Sequence, residues 1–203
     1  MKINTLSLLT LLIASFVLSA CQNKNTATPF SDENDYTVRD DTPANTEVTN
    51  QQTQTNTDEN QYVAINTDYG QIVVELFSQV TPNAVKNYLN KVNTNYYDGL
   101  IFHRVVPGFV VQGGDPTGTG TGGGKINSEL NQIPFVKGSL GLARTPDSKE
   151  ISNDSQFFIC LTDEQCGQLT GDYVNFGRVV TGMDIVAKIQ VGDKMNSIVA
   201  TTK

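Results

Sequence analysis

His103 and Arg104 stand side by side in the run "FHRVVPGFVVQGGD", residues 102–115, and His103 is the only histidine in the chain. Ser-His-Asp hydrolysis would therefore have to run through this one residue, and no Gly-x-Ser-x-Gly elbow is present to offer a nucleophile. The next stretch, "GGDPTGTGTGGGK" from Gly113 to Lys125, holds G-x-G-x-x-G at Gly118, Gly120 and Gly123 and ends in Gly-Lys, a spacing that could cradle a phosphate. A dinucleotide fingerprint must follow a strand, open a helix and have an acid about 20 residues on. Here the glycines lead into "KINSELNQIPFVKGSL", which contains Pro134 and has no helical period. A phosphate loop would need Gly in place of Thr119 and Ser or Thr in place of Ile126. No nucleotide is expected; the glycines read as a long surface loop that needs positive φ angles and close backbone approach. Cys160 and Cys166, with five residues between them and no histidine nearby, make no case for zinc, so no metal is expected.

The elements that must position these residues are short. Tyr62–Thr67 and Gln71–Phe77 are β-rich runs around the turn signal Asp68-Tyr69-Gly70 and predict a hairpin. In "TPNAVKNYLNKVN", Thr81 suits an N-cap and Pro82 the first helical position. Ala84, Val85, Tyr88, Leu89 and Val92 then fall on one helical face. Further β-like runs are "GLIFHRVV", "GFVVQGG", "GSLGLAR", "SQFFICL", "NFGRVV" and "NSIVATT", with a second helix at "GMDIVAKIQ" that would bury Met183, Ile185, Val186 and Ile189. Many short strands, Gly-rich turns and two helices predict an all-β sandwich or barrel over residues 61–203.

The run at 102–124, with "SQFFICL" at 155–161 and "NFGRVVTGMDIVAKI" at 175–189, closely resembles the cyclophilin family of peptidyl-prolyl cis–trans isomerases, from about Tyr62 to the C-terminus. The resemblance implies a closed eight-stranded antiparallel β-barrel capped by two helices, and an enzyme that turns X-Pro bonds without a cofactor. It implies that Arg104 donates to the imide nitrogen, that Gln112 fixes the substrate backbone or orients Arg104, and that Phe109, Val110, Phe158 and Leu169 grip the proline ring. Gln156 and the backbone at Ala143-Arg144 would line the groove for residues before the proline, His103 would form pocket wall, and Tyr173 is expected among the substrate-binding residues. A binding module for proline-containing segments, with incidental turnover, is the alternative. The chain departs from the family's common pattern at several places. Val110 stands where methionine is common, Gln168 where many eukaryotic members carry tryptophan, and Tyr173 where they carry histidine. Arg144 replaces an asparagine, and Asp154 stands where glycine is usual.

Ahead of this domain, Lys2 and the apolar run "INTLSLLTLLIASFVLSA" precede Cys21, and "LSAC" resembles the bacterial lipoprotein signal. Residues 1–20 are expected to be a signal peptide and Cys21 the site of lipidation, anchoring the protein in the cell envelope. Gln22, rather than Asp, points to the outer membrane, periplasmic or surface side. Residues 21–60 are polar; residues 22–60 hold eight acids against Lys24 and Arg39, a charge of −6, and are expected to form a solvated tether. The remaining 13 acids and 11 bases leave the domain near neutrality, with no basic patch for nucleic acid. Expected partners are proline-containing peptides and unfolded envelope proteins, met by a monomer. Whether Cys160 and Cys166 pair is open; Cys160 lies in a strand-like run and reads as a free cysteine serving as a small buried hydrophobe.

Overall fold

The computed structural model describes residues 61–203; the expected signal peptide, Cys21 and the tether lie outside the described residues. Strands β1 (Gln61–Thr67) and β2 (Gly70–Leu76) form the expected hairpin, with Val63, Ile65, Ile72, Val74 and Leu76 buried at every second position. The turn closes through Thr67, whose hydroxyl donates to Gly70 O at 2.9 Å and accepts from the Tyr69 N–H at 3.2 Å.

Helix α1 (Pro82–Asn93) begins with proline and buries Ala84, Val85, Tyr88 and Val92. Thr81 is the N-cap residue, but its hydroxyl donates to Phe77 O at 3.3 Å instead of capping. The first-turn N–H groups are served from a distance. Glu129 accepts from Asn83 N at 3.1 Å and Ala84 N at 2.8 Å, and its negative charge suits the positive helix end.

The remaining strands are β3 (Arg104–Val106), β4 (Val110–Gly113), β5 (Lys125–Asn127), β6 (Ser139–Leu142), β7 (Ile151–Asn153), β8 (Phe157–Cys160), β9 (Asn175–Thr181) and β10 (Ser197–Thr201). Eight of them pair antiparallel in the order β10-β1-β2-β9-β6-β8-β4-β3, while β5 and β7 form a separate two-stranded ladder. The sheet is a half-barrel and does not close, which corrects the expected closed barrel. Strand β3 ends at Val106 because Pro107 has no N–H to continue a ladder. The chain just ahead of β3 meets the chain before β10 through one bridge, Ile101 to Lys194, and irregular bonds such as Phe102 N to Asp193 O at 2.8 Å and Met195 N to Leu100 O at 2.8 Å.

The expected second helix is shorter than its apolar spacing suggested. Only Met183–Val186 (α3) forms α-helix, because beyond Ala187 the bonds tighten to the i−3 type at Lys188 and Ile189. An unexpected turn of helix, α2 (Asp163–Cys166), runs into a turn of 3₁₀ helix at Gly167–Leu169. It brings Cys166 back to β8, where it forms a disulfide with Cys160; the free-cysteine reading of Cys160 is thereby corrected.

Two apolar clusters result. The main core joins α1 to the concave face of the sheet around Tyr88, Phe157 and Phe176. A smaller one gathers Val110, Phe135, Phe158, Leu169 and the two cysteines, with Phe109 and Tyr173 packed against it. The smaller cluster carries the site.

Candidate active site

In the β3–β4 hairpin Arg104 pairs directly with Gln112, so both side chains leave the sheet on one face, and Arg104 Nη1 donates to Gln112 Oε1 at 3.3 Å. On the next strand Gln112 faces Phe158 and Val110 faces Cys160, which sets an apolar floor beside the polar pair. Phe109 sits on the hairpin turn with its N–H bonded to Val106 O at 2.9 Å, and its carbonyl accepts from Leu161 N at 2.7 Å. The Arg104 guanidinium carbon lies 5.9 Å from the Phe109 ring centroid, a cation over an aromatic face.

These residues enclose a cavity of about 230 Å³. Arg104 and Gln112 form its polar side, and Phe109, Val110, Phe158 and Leu169 its apolar side. Ala143, Arg144 and Tyr173 complete the rim. All nine were candidates from sequence. Leu169 is held there by the disulfide-anchored 3₁₀ turn and is 9% exposed. Arg144 is committed to structure: Nε donates to Asp172 O at 3.0 Å, Nη1 to Thr145 O at 2.9 Å and Ser148 O at 3.2 Å, and the guanidinium lies 4.4 Å over the Tyr173 ring.

Two candidates sit elsewhere. Gln156 is buried beneath a neighbouring cavity of about 190 Å³ that shares Gln112, Ala143 and Arg144 with the first. His103 does not line the proline-sized cavity. A Cβ added at Gly120 would lie 3.7 Å from its ring, and both of its buried nitrogens lack a protein partner. Burial holds the His103 imidazole below its ordinary value; Asp115 opposes this and Arg104 reinforces it. The ring is therefore neutral at pH 7.

Sequence reasoning missed Phe135 and Asp115. Phe135 stacks beneath Phe158, with ring centroids 5.6 Å apart, and stiffens the pocket floor. Its signal was an aromatic residue directly after Pro134, in a stretch from 125 to 140 with no other aromatic. Asp115 is 1% exposed and explains the glycine loop. It accepts from the Thr117 N–H at 2.8 Å and hydroxyl at 2.9 Å, and from the Gly120 N–H. Burial pushes its carboxyl up, but these bonds and one from the Gly122 N–H outweigh that and hold it at about 2. The N–H groups that could have gripped a phosphate are occupied by the loop's own carboxylate. Gly118, Gly120 and Gly123 have φ of +67°, +89° and +86°, the left-handed region glycine tolerates.

Among the described residues, no group of three His, Cys, Asp or Glu side chains is placed to hold a metal ion.

The family described as cyclophilin type peptidyl-prolyl cis-trans isomerase/CLD matches residues 62–202. A peptidyl-prolyl cis-trans isomerase of Helicobacter pylori is 38% identical over 144 residues, covering 68% of this chain and 85% of its own length. Peptidyl-prolyl isomerase CWC27 of Cryptococcus neoformans is 42% identical over 138 residues, 64% of this chain, and the match spans 27% of that longer protein. A crystal structure of a Cryptosporidium parvum cyclophilin type peptidyl-prolyl cis-trans isomerase superposes with a TM-score of 0.66 at 32% identity, covering 71% of this chain and 99% of that one. The same protein, solved in the presence of the dipeptide Ala-Pro, gives 0.64.

Proposed function

The chain belongs to the cyclophilin-type peptidyl-prolyl cis–trans isomerase family, and from that premise we propose that it catalyses rotation about X-Pro bonds in unfolded proteins of the cell envelope. The barrier to that rotation, about 18–20 kcal/mol, comes from delocalisation of the nitrogen lone pair into the carbonyl. A catalyst lowers it by binding the twisted amide better than either planar form, and each ~1.36 kcal/mol of preference is tenfold in rate.

Arg104 supplies that preference. When the bond twists, the imide nitrogen regains a lone pair, and a guanidinium N–H can donate to it. In the planar form no such acceptor exists, so the bond is made in the transition state alone. Phe109, Val110, Phe158 and Leu169 clamp the proline ring, and Gln112 holds Arg104 against the substrate. Residues before the proline run past Ala143 toward Gln156. The observation that carries this reading is the meeting of the Arg104 guanidinium and an apolar hollow in one 230 Å³ cavity. The family name and the relative solved in the presence of Ala-Pro add support. The neutral His103 has no proton to give in this scheme.

The test is an NMR exchange or protease-coupled assay on an Ala-Pro peptide. Loss of a charge-assisted bond of about 1.5–3 kcal/mol in Arg104→Ala should lower kcat/KM by about 10–150-fold. Equal background rates in wild type and variant would leave only the binding role. In the same reading a lipid on Cys21 tethers the enzyme near its clients, supported by the "LSAC" motif; mass spectrometry of the mature N-terminus checks it, and an unmodified Cys21 would refute it.

A further inference from the structure

The polar relay behind Arg104 does not stop at Gln112. Gln112 Nε2 donates to Gln156 Oε1 at 3.0 Å, and Gln156 Nε2 donates to two loop carbonyls, Gly120 O at 3.2 Å and Gly122 O at 2.8 Å. An amide has one oxygen and one nitrogen. With the Gln156 nitrogen committed to the loop, its oxygen must face Gln112, and the Gln112 oxygen must then face Arg104. The aim of the guanidinium is thus set by where the carbonyls of Gly120 and Gly122 sit.

Those carbonyls lie on a glycine-rich loop held at both ends. Buried Asp115 grips its first half. At the far end Asp154 and Gly124 bond in both directions: Gly124 N donates to Asp154 Oδ1 at 2.7 Å, and Asp154 N donates to Gly124 O at 3.2 Å. The other carboxylate oxygen of Asp154 pairs with Lys91 Nζ of α1 at 3.2 Å, and its carbonyl accepts from Asn87 Nδ2, one turn earlier, at 2.6 Å. The Lys91 and Asp154 side chains are 18% and 23% exposed, so the pair is shielded more than a surface ion pair. Glycine, the residue the family pattern leads one to expect at 154, could make neither side-chain bond.

We propose that Asp154 is a positioning residue for the isomerisation, acting through a Lys91–Asp154–Gly124 latch that ties the glycine loop to α1 and so orients Gln156, Gln112 and Arg104. This rests on the isomerase reading above. The latch limits how far the loop carbonyls wander, and small displacements of an aligned donor are costly in rate.

The experiment compares wild type, Asp154→Gly and the milder Asp154→Asn, which keeps an oxygen for the Gly124 N–H but loses the ion pair. Each is made in the native background and in Gln156→Leu, where the relay is cut. Isomerase kcat and KM on an Ala-Pro peptide are measured with thermal melting and the ¹⁵N amide signals of Gly120, Gly122 and Gly124. Asp154→Gly should lower kcat by about 3–10-fold with little change in KM, Asp154→Asn by less, and neither should matter on the Gln156→Leu background. An unchanged kcat in Asp154→Gly overturns the proposal. So does an equal fold-loss on the Gln156→Leu background, since that would mean general damage. If the wild type itself turns over no substrate, the isomerase reading fails; unaltered loop amides in Asp154→Gly would then reject the latch on their own.

Discussion

Gly141 is the smallest residue touching the pocket floor, and Gly141→Ala tests whether that floor's shape governs substrate binding. A Cβ there would lie 2.7 Å from Phe158 Cε2 and 2.8 Å from Phe135 Cε1, with Phe158 Cζ closer still. Ordinary carbon contacts are about 3.5–4.0 Å, so Phe135 must retreat by roughly 0.7–1.2 Å and Phe158, whose Cζ is nearer still, by more than that. Phe135 is 1% exposed and cannot move inward; Phe158, at 4%, borders the cavity and has one free direction, into it. Overpacking of this kind costs about 1–3 kcal/mol, which lowers Tm by about 3–10 °C for a domain of this size. A ring intruding on a snug apolar slot should raise KM for an Ala-Pro peptide about tenfold or more. Steady-state kinetics and thermal denaturation of the purified domain measure both. A KM within about twofold of wild type, alongside the expected loss of stability, would show that the hollow between Phe158 and Leu169 is not where proline binds.

Three further outcomes follow from features of the same site. Replacing Cys160 and Cys166 by serine releases the turn that carries Leu169; a loop this short predicts about 2 kcal/mol of lost stability by denaturant titration, with KM rising more than kcat falls. The carboxyl of Asp115 titrates at about 2 when folded, below its unfolded value. Its contribution, about 2 kcal/mol, is therefore complete above about pH 4 and lost as pH falls toward 2; urea titrations of wild type should show that fall and those of Asp115→Asn should lack it. Because burial keeps His103 neutral at pH 7 and the mechanism passes no proton, the isomerase kcat should be flat from about pH 7 to 9, and a step there would contradict the scheme.

The hairpin of β1 and β2 and the apolar face of α1 were legible because each repeats one period cleanly: alternate burial at Val63 and Ile65, and helical spacing from Ala84 to Val92. The pocket was legible through two separate family-like runs, at 102–124 and 155–161, which carried Phe109, Val110 and Phe158 to one place even though no local pattern joins them. What escaped the sequence depended on where one chain segment meets another. The bond between Cys160 and Cys166 requires the turn of α2, whose four residues have no period to detect. Glu129 caps a helix that begins 47 residues earlier in the chain, and Thr81, the local candidate, bonds elsewhere. Asp115 reads as an ordinary turn aspartate until the loop folds over it. The barrel's failure to close lies in the absence of a ladder between β3 and β10, which strand count alone does not reveal.

That open seam has a consequence for how the enzyme can change. Arg104 rides on the last rung of the sheet, paired on one side by β4, and the chain just ahead of it is stitched to residues 192–195 by a few irregular bonds near Ile101 and Lys194. A rim strand of this kind can breathe while the central strands stay shut. Substitution of the exposed Lys194 could therefore tune turnover from outside the groove, leaving melting behaviour and peptide affinity almost untouched, whereas its neighbour Met195 is fully buried in the main core and any change there costs stability.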